Sequence, residues 1–439
     1  MPRKRWLEAR SPAVRDFARS GGSRVLTLLL SLVLVTYSTR LIISYLGTES
    51  YGYIALVASL AALLAFSDLG IGTAVTTEIA RLGFESARVQ GLIARVVRAL
   101  TGVSIVIVIL AVVTWIFDLW PIIFADPQLP TYITTAASVS LVFFAVSVRA
   151  GIGYRVLIGI NRSHLAIYCQ LLGPIIATMV CFSAVALDGP AFYLAIAVPL
   201  GSMVAAVATL IVAMRTTGLN LLAPRYKGYI AQEDRLSIAK YSVPAFAVLV
   251  ASPLIFQSDR LLLAWFSTPA ALAQYSVLAQ LYGPAVSVAN AIALPLWSKY
   301  SASEGAADLS SRFPRHVLLL GGVGVVLGVS LVAVAPLYAV VVSAGALGDL
   351  TLLASSFALL IVAQSLQLPA GMYLTSPKGF RALSLLFAIA VLLKLALSVL
   401  FVPALSAAGP VLASVAAVLF AITVPSLLIA GRWMKRGAV

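Results

Sequence analysis

The chain has 439 residues, 61% of them hydrophobic and only 10% charged, with a formal net charge of +15 and a mean hydropathy of +1.04. A soluble domain of this size does not need so much apolar side chain, which excludes a soluble enzyme or binding module. The basic excess would suit nucleic acid, but its placement along the chain assigns it to a membrane surface and leaves no nucleic-acid partner to invoke.

In chain order, residues 1–24 form a basic cytoplasmic tail. Its basic region is too long for a secretory signal, and the apolar run that follows lacks a small-residue cleavage site. Trp6, Leu7, Val14 and Phe17 among the arginines fit either a helix lying in the membrane interface or a disordered tail that only sets topology. Twelve apolar runs follow, each near the length that crosses a bilayer core as a helix. They lie over residues 25–46, 51–79, 94–117, 133–157, 165–187, 191–214, 242–266, 272–296, 317–342, 350–374, 383–402 and 409–430. Spanning backbone must satisfy its own hydrogen bonds, so the expected fold is all-α and polytopic, with about twelve transmembrane helices. A six-helix bundle is expected over 25–214 and a second over 242–430, in a parallel repeat around a central cavity. The polar, Pro/Gly-containing stretch 215–241 reads as a cytoplasmic linker between them, and 431–439 as a basic cytoplasmic tail.

The connections between the runs divide by charge. Alternate ones hold nearly all of the 30 lysines and arginines, while the others hold none and carry Glu49, Asp118, Asp126, Asp188 and Asp349. This is the positive-inside pattern, and it predicts a multi-pass membrane protein with both termini in the cytoplasm. Cys169 and Cys181 share the fifth run, about 18 Å apart at helical rise, too far to pair; they read as packing residues.

The sequence repeats. Arg40-Leu41-Ile42-Ile43-Ser44-Tyr45-Leu46-Gly47-Thr48 matches Arg260-Leu261-Leu262-Leu263-Ala264-Trp265-Phe266-Ser267-Thr268, and Tyr53-Ile54-Ala55-Leu56 matches Tyr275-Ser276-Val277-Leu278. The copies end the first and seventh runs, so both halves enter the membrane in the same direction, as in a two-halved transporter.

Ionisable groups inside the runs are the candidate site. A charge at mid-bilayer costs about 2.5–3.5 kcal/mol on insertion scales, so such groups should face a cavity, a partner or an interface. Arg40, Arg149, Arg260 and Lys394 are the candidate cavity cations for an anionic substrate. For Arg40 and Arg260 snorkelling to the outer headgroups is the competing reading, whereas Lys394 is the costliest charge in the chain and suits an aqueous, anion-binding cavity. Asp68, beside Gly70 and Gly72, and Asp259 are candidate ion-coupling groups, although Asp68 also suits an N-cap. Gln257, Asn290, Gln364 and Gln367 are candidate sugar contacts or interhelical glue. Glu78 and Arg81 read as an interfacial pair. His164 and His316 have no ligand-spaced partners, so no metal or other cofactor is expected. With no Walker A sequence, ATP is not hydrolysed.

Arg40 to Tyr53, followed by Asp68-Leu69-Gly70 and Ala80-Arg81, resembles the opening of bacterial polysaccharide transporters of the O-antigen flippase type. Asp259-Arg260-Leu261-Leu262-Leu263-Ala264, followed by Tyr275-Ser276 and Leu294-Pro295, resembles the start of their second half. The resemblance covers most of the chain and extends to the multidrug/oligosaccharidyl-lipid/polysaccharide exporter superfamily. It implies a flippase of the bacterial cytoplasmic (inner) membrane, not an enzyme, that carries a polyprenyl-diphosphate-linked oligosaccharide outward by alternating access. The cavity cations would contact the diphosphate or acidic sugars. The implied partners are that glycan, membrane lipids, and a polysaccharide polymerase with its export machinery. Two alternatives stay open: a cation-coupled multidrug antiporter of the same superfamily, and a membrane glycosyltransferase or polymerase using carboxylates on an outer loop such as Asp118 and Asp126.

Overall fold

A computed structural model describes residues 3–62, 71–222, 251, 254–302 and 307–436. These residues form helices and short connections, with no strand among them. Helix α1 (Arg3–Ala62) is broken at Gly47, whose φ of 84° and ψ of 171° are not helical. The first two apolar runs therefore meet at a single residue. Nothing lies within 4 Å of where a Cβ would sit at Gly47, so the backbone conformation, not space, calls for glycine there. The basic N-terminal segment is helical from Arg3 and continuous with the first span.

There follow α2 (Ile71–Leu82), α3 (Ala87–Ile116), the short α4 (Trp120–Ile123), α5 (Thr131–Ala150), α6 (Ile152–Gly159), α7 (Ser163–Ala186) and α8 (Ala191–Thr217). Next come α9 (254–266), α10 (Pro269–Ala302), α11 (Ala307–Ser343), α12 (Thr351–Tyr373) and α13 (Pro377–Leu405). After a 3₁₀ turn, α14 (Gly409–Ala416) runs through a π-helical stretch, Ala417–Thr423, into α15 (Val424–Arg436).

Among the described residues nine helices are long and apolar enough to cross a membrane. The last, Lys378–Met434, contains both the eleventh and twelfth expected spans. The second expected span passes through 63–70 and the seventh begins in 242–250, and these stretches lie outside the described residues, as do Asp68 and most of the expected linker. The chain is thus a multi-pass, all-helical membrane protein.

Contacts sort the helices into two compact units: Met1–Ser38, Ile71–Phe117 and Thr135–Ile230 form one, and Thr39–Gly70, Asp118–Thr134 and Ala231–Val439 the other. These boundaries differ from the sequence halves at two segments, α1 beyond Ser38 and the stretch around α4. Within the first unit α7 packs along α8, and a Cβ on Gly201 would lie 2.3 Å from the Gly173 carbonyl oxygen. Only glycine permits backbones that close. Side-chain hydroxyls stitch this unit where water is scarce: Ser38 to Thr178 at 2.8 Å, Ser104 to the Ala145 carbonyl at 2.7 Å, and Thr76 to the Arg155 carbonyl at 3.2 Å.

In the second unit α12 is central, packing on α10, α11 and α14. Gln280 on α10 ties in the part of α1 beyond Ser38. Its Nε2 donates to Thr39 Oγ1 at 3.0 Å and Tyr51 Oη at 2.8 Å, while Tyr338 donates to its Oε1 at 2.6 Å. Tyr53 donates to Asp126, and Trp265 Nε1 to the Ile123 carbonyl at 2.7 Å, which fixes the stretch around α4. These bonds explain why the two segments belong to this unit.

Candidate functional site

The second unit gathers most of the charges that the sequence singles out. Helix α9 presents Ser258, Asp259 and Arg260 in succession. Neighbours in a helix point about 100° apart, so Asp259 and Arg260 do not face each other. Asp259 turns toward α13, where Lys394 Nζ lies 2.7 Å from its Oδ1. Lys394 is 0% exposed and Asp259 2%. Lys394 also donates to the Ser258 hydroxyl, and Tyr275 on α10 donates to Asp259 Oδ2 at 2.9 Å. The sequence suits Lys394 to an aqueous cavity; the structure instead buries it against Asp259, because an acid far back along the chain folds onto it.

Arg260 takes the opposite course. It donates to Gln257 Oε1 at 3.2 Å and to the Ser276 hydroxyl at 3.4 Å, and its guanidinium carbon lies 5.7 Å from the centre of the Tyr275 ring. All of these partners are neutral, and Arg260 remains partly exposed. Among the described residues, Asp259 is engaged by Lys394 and Tyr275, whereas Arg260 hydrogen-bonds only to neutral side chains. Gln257, expected as a sugar contact, instead orients this arginine from one turn earlier.

The other candidates separate. In the first unit Arg149 Nη2 donates to the carbonyls of Leu221 and Leu222 at 3.0 and 2.6 Å. Those carbonyls lie just past the end of α8 at Thr217, so Arg149 ties down the segment that follows this helix. Arg40 is exposed on α1. Glu78 pairs with Arg81 at 3.7 Å and, beyond what the sequence suggested, with Arg88 at 3.6 Å. Cys169 and Cys181 are buried free thiols. Among the described residues no group of three or more His, Cys, Asp or Glu could hold a metal.

Asn290, Gln364 and Gln367 do come together. They line one pocket of about 330 Å³ in the second unit, with Phe256, Tyr282 and Phe387. Tyr282 Oη donates to Gln364 Oε1 at 2.8 Å. The Phe357 ring stacks against Tyr282 at 5.1 Å and Tyr275 at 5.5 Å, and so connects the pocket wall to the charge network. Sequence reasoning missed Ser258 and the roles of Tyr275 and Ser276. The last two stand in the repeated run, which was the available signal.

Among the described residues this is an all-helical, multi-pass architecture with a charge pair buried between its helices. The chain belongs to the polysaccharide biosynthesis protein family, whose pattern matches residues 13–301. Solved structures share the fold. An inward-facing multidrug resistance MATE family transporter of the MOP superfamily aligns with TM-score 0.71 and 14% identity, covering 94% of this chain and 98% of that one. An inward closed lipid II flippase MurJ aligns with TM-score 0.60 and 13% identity, covering 97% and 95%. An outward-facing MATE family transporter aligns with TM-score 0.60 and 16% identity, covering 95% and 96%. No curated protein matches the chain.

Proposed function

We propose that the protein is a flippase that moves a polyprenyl-diphosphate-linked oligosaccharide across the cytoplasmic membrane by alternating access. The observation that carries this reading is Arg260: a partly exposed cation in the expected seventh span whose neighbouring acid already faces Lys394 at 2.7 Å. A guanidinium held by neutral partners suits a diphosphate, which it can bind through two parallel N–H bonds. Family membership supports a glycan as cargo, and likeness to a lipid II flippase supports a lipid carrier. On this reading the protein is a transporter and not an enzyme. Its basic connections and both termini face the cytoplasm and anionic headgroups, and it hands its cargo to a polymerase and export machinery. The likeness to MATE structures favours a second reading, a cation-coupled multidrug antiporter. The engagement of Asp259 by Lys394 weighs against it, because a cationic drug needs an acid that is free.

The test is reconstitution. Proteoliposomes carrying a labelled polyprenyl-diphosphate oligosaccharide should expose it to a membrane-impermeant glycosidase faster than empty liposomes do. Arg260→Gln should slow exposure about tenfold or more, since losing a charged hydrogen bond costs about 1.5–3 kcal/mol and about 1.4 kcal/mol is a factor of ten. No acceleration by the wild type, together with efflux of a cationic dye, would establish the second reading instead.

A further inference from the structure

The amide pocket of the second unit carries an inference beyond the diphosphate. Among the described residues its lining contains no charged side chain, so neither a phosphate nor a cationic drug finds a counter-charge there. It does contain unengaged hydrogen-bonding capacity. Asn290 uses Nδ2 on the Val286 carbonyl at 2.9 Å, which leaves Oδ1 as an acceptor. Gln364 uses Oε1 on the Tyr282 hydroxyl at 2.8 Å, which leaves two Nε2 donors. The Gln367 amide engages neither of them among the described residues. Mixed donors and acceptors flanked by the rings of Phe256, Tyr282 and Phe387 match a molecule with a ring of hydroxyls and an apolar C–H face. Asn290 and Gln364 have one partner each, and the hydrogen-bonding capacity left over at the three amides suits a polar occupant.

A second observation falls at the same place. The stretch Ala417–Thr423 is π-helical, and its Val418 and Ile422 form part of the pocket wall. π-Helical turns cost backbone stability and concentrate at functional sites. The volume of about 330 Å³ lies at the small end of ligand pockets, about 300–1,000 Å³, which fits one sugar ring and not an oligosaccharide. Position supplies the last step. Phe256 of the pocket and Arg260 of the charge network stand on the same helix, about 6 Å apart along its axis at 1.5 Å per residue.

We propose that this pocket is a subsite for an uncharged pyranose, the sugar attached directly to the anionic group held at Arg260. The assignment rests on the transport reading above. It makes the sugar nearest the diphosphate neutral and places any acidic sugars of the repeat unit farther out.

The experiment uses the full chain in lipid nanodiscs and saturation-transfer NMR with three small probes: methyl β-glucopyranoside, glucuronic acid and cyclohexanol. The glycoside should show transfer, glucuronic acid at least about fivefold less, and cyclohexanol none. Gln364→Met and Gln367→Met, each close to isosteric, should abolish the glycoside signal while thermal unfolding stays at the wild-type temperature. Glycoside transfer unchanged in both variants, or cyclohexanol binding in place of the glycoside, would overturn the subsite. The two readings fail separately. If lipid-linked oligosaccharide is flipped without glycoside binding, the subsite falls and transport stands. Glycoside binding lost in the variants of a protein that does not flip would uphold the subsite and remove the transport reading.

Discussion

Lys394 sits at a depth where water is not needed to hold its charge, because Asp259 Oδ1 lies 2.7 Å away and both side chains are buried. Breaking a buried pair leaves one charge alone in a low dielectric and costs about 3–5 kcal/mol, whereas replacing both partners with neutral groups is often nearly free. Lys394→Met and Asp259→Asn should therefore each lower the unfolding temperature of the purified protein sharply, and the double variant should recover most of the loss. A double variant as unstable as either single would mean that the pair does not act as a unit. The recovered double variant also separates structure from transport: if it is stable and still flips lipid-linked oligosaccharide, the pair is a packing element and Arg260 is the working cation. Arg260 itself was legible in the sequence as an intramembrane charge. Its importance relative to Lys394 and Arg149 was not, because the partners of those two residues come from distant segments that only folding brings near.

At the scale of elements, the positions of the helices follow from apolar runs and punctuation. The break at Gly47 falls between the first and second runs, where Gly47 stands in the repeated segment. Gly47→Ala would place a side chain at φ 84° and ψ 171°, a region open essentially to glycine, at a cost of about 1–3 kcal/mol. Gly201→Ala acts by another route, since its Cβ would press on the Gly173 carbonyl at 2.3 Å and force α7 and α8 apart, a cost of about 1–3 kcal/mol for an overpacked contact. Because the two sites lie in different units and share no partner, their effects on chemical unfolding should add. A strongly non-additive double variant would contradict this picture of independent packing. The kink residue was visible as a glycine between two apolar runs. The Gly173–Gly201 approach was not, because a small residue in an apolar helix carries no mark of which neighbour it faces. Helical periodicity likewise gave no warning of the π-helical stretch Ala417–Thr423, whose sequence is as apolar as its neighbours.

At the scale of the whole molecule, the fold was largely readable. Membrane-spanning backbone has few solutions, and the alternation of basic and acidic connections predicts a topology without any knowledge of packing. What remained hidden was the grouping of segments, since the part of α1 beyond Ser38 joins the second unit through bonds from Gln280 to Thr39 and Tyr51 at 3.0 and 2.8 Å that no hydrophobic pattern encodes. Topology also decides the direction of transport, and the molecule allows a direct test of it. Cys169 and Cys181 are buried, so the native chain should label weakly with a membrane-impermeant maleimide. Arg162 in the α6–α7 connection and Ala346 in the α11–α12 connection are both exposed, and by the charge pattern they lie on opposite sides of the membrane. In right-side-out membranes Ala346→Cys should label at once, and Arg162→Cys only after the membrane is permeabilised. The opposite result would place the basic connections outside. Arg260, on the helix that enters the repeat's outer turn, would then lie near the cytoplasmic face, and an outward flippase would have its candidate anion site at the loading end of the pathway instead of the release end.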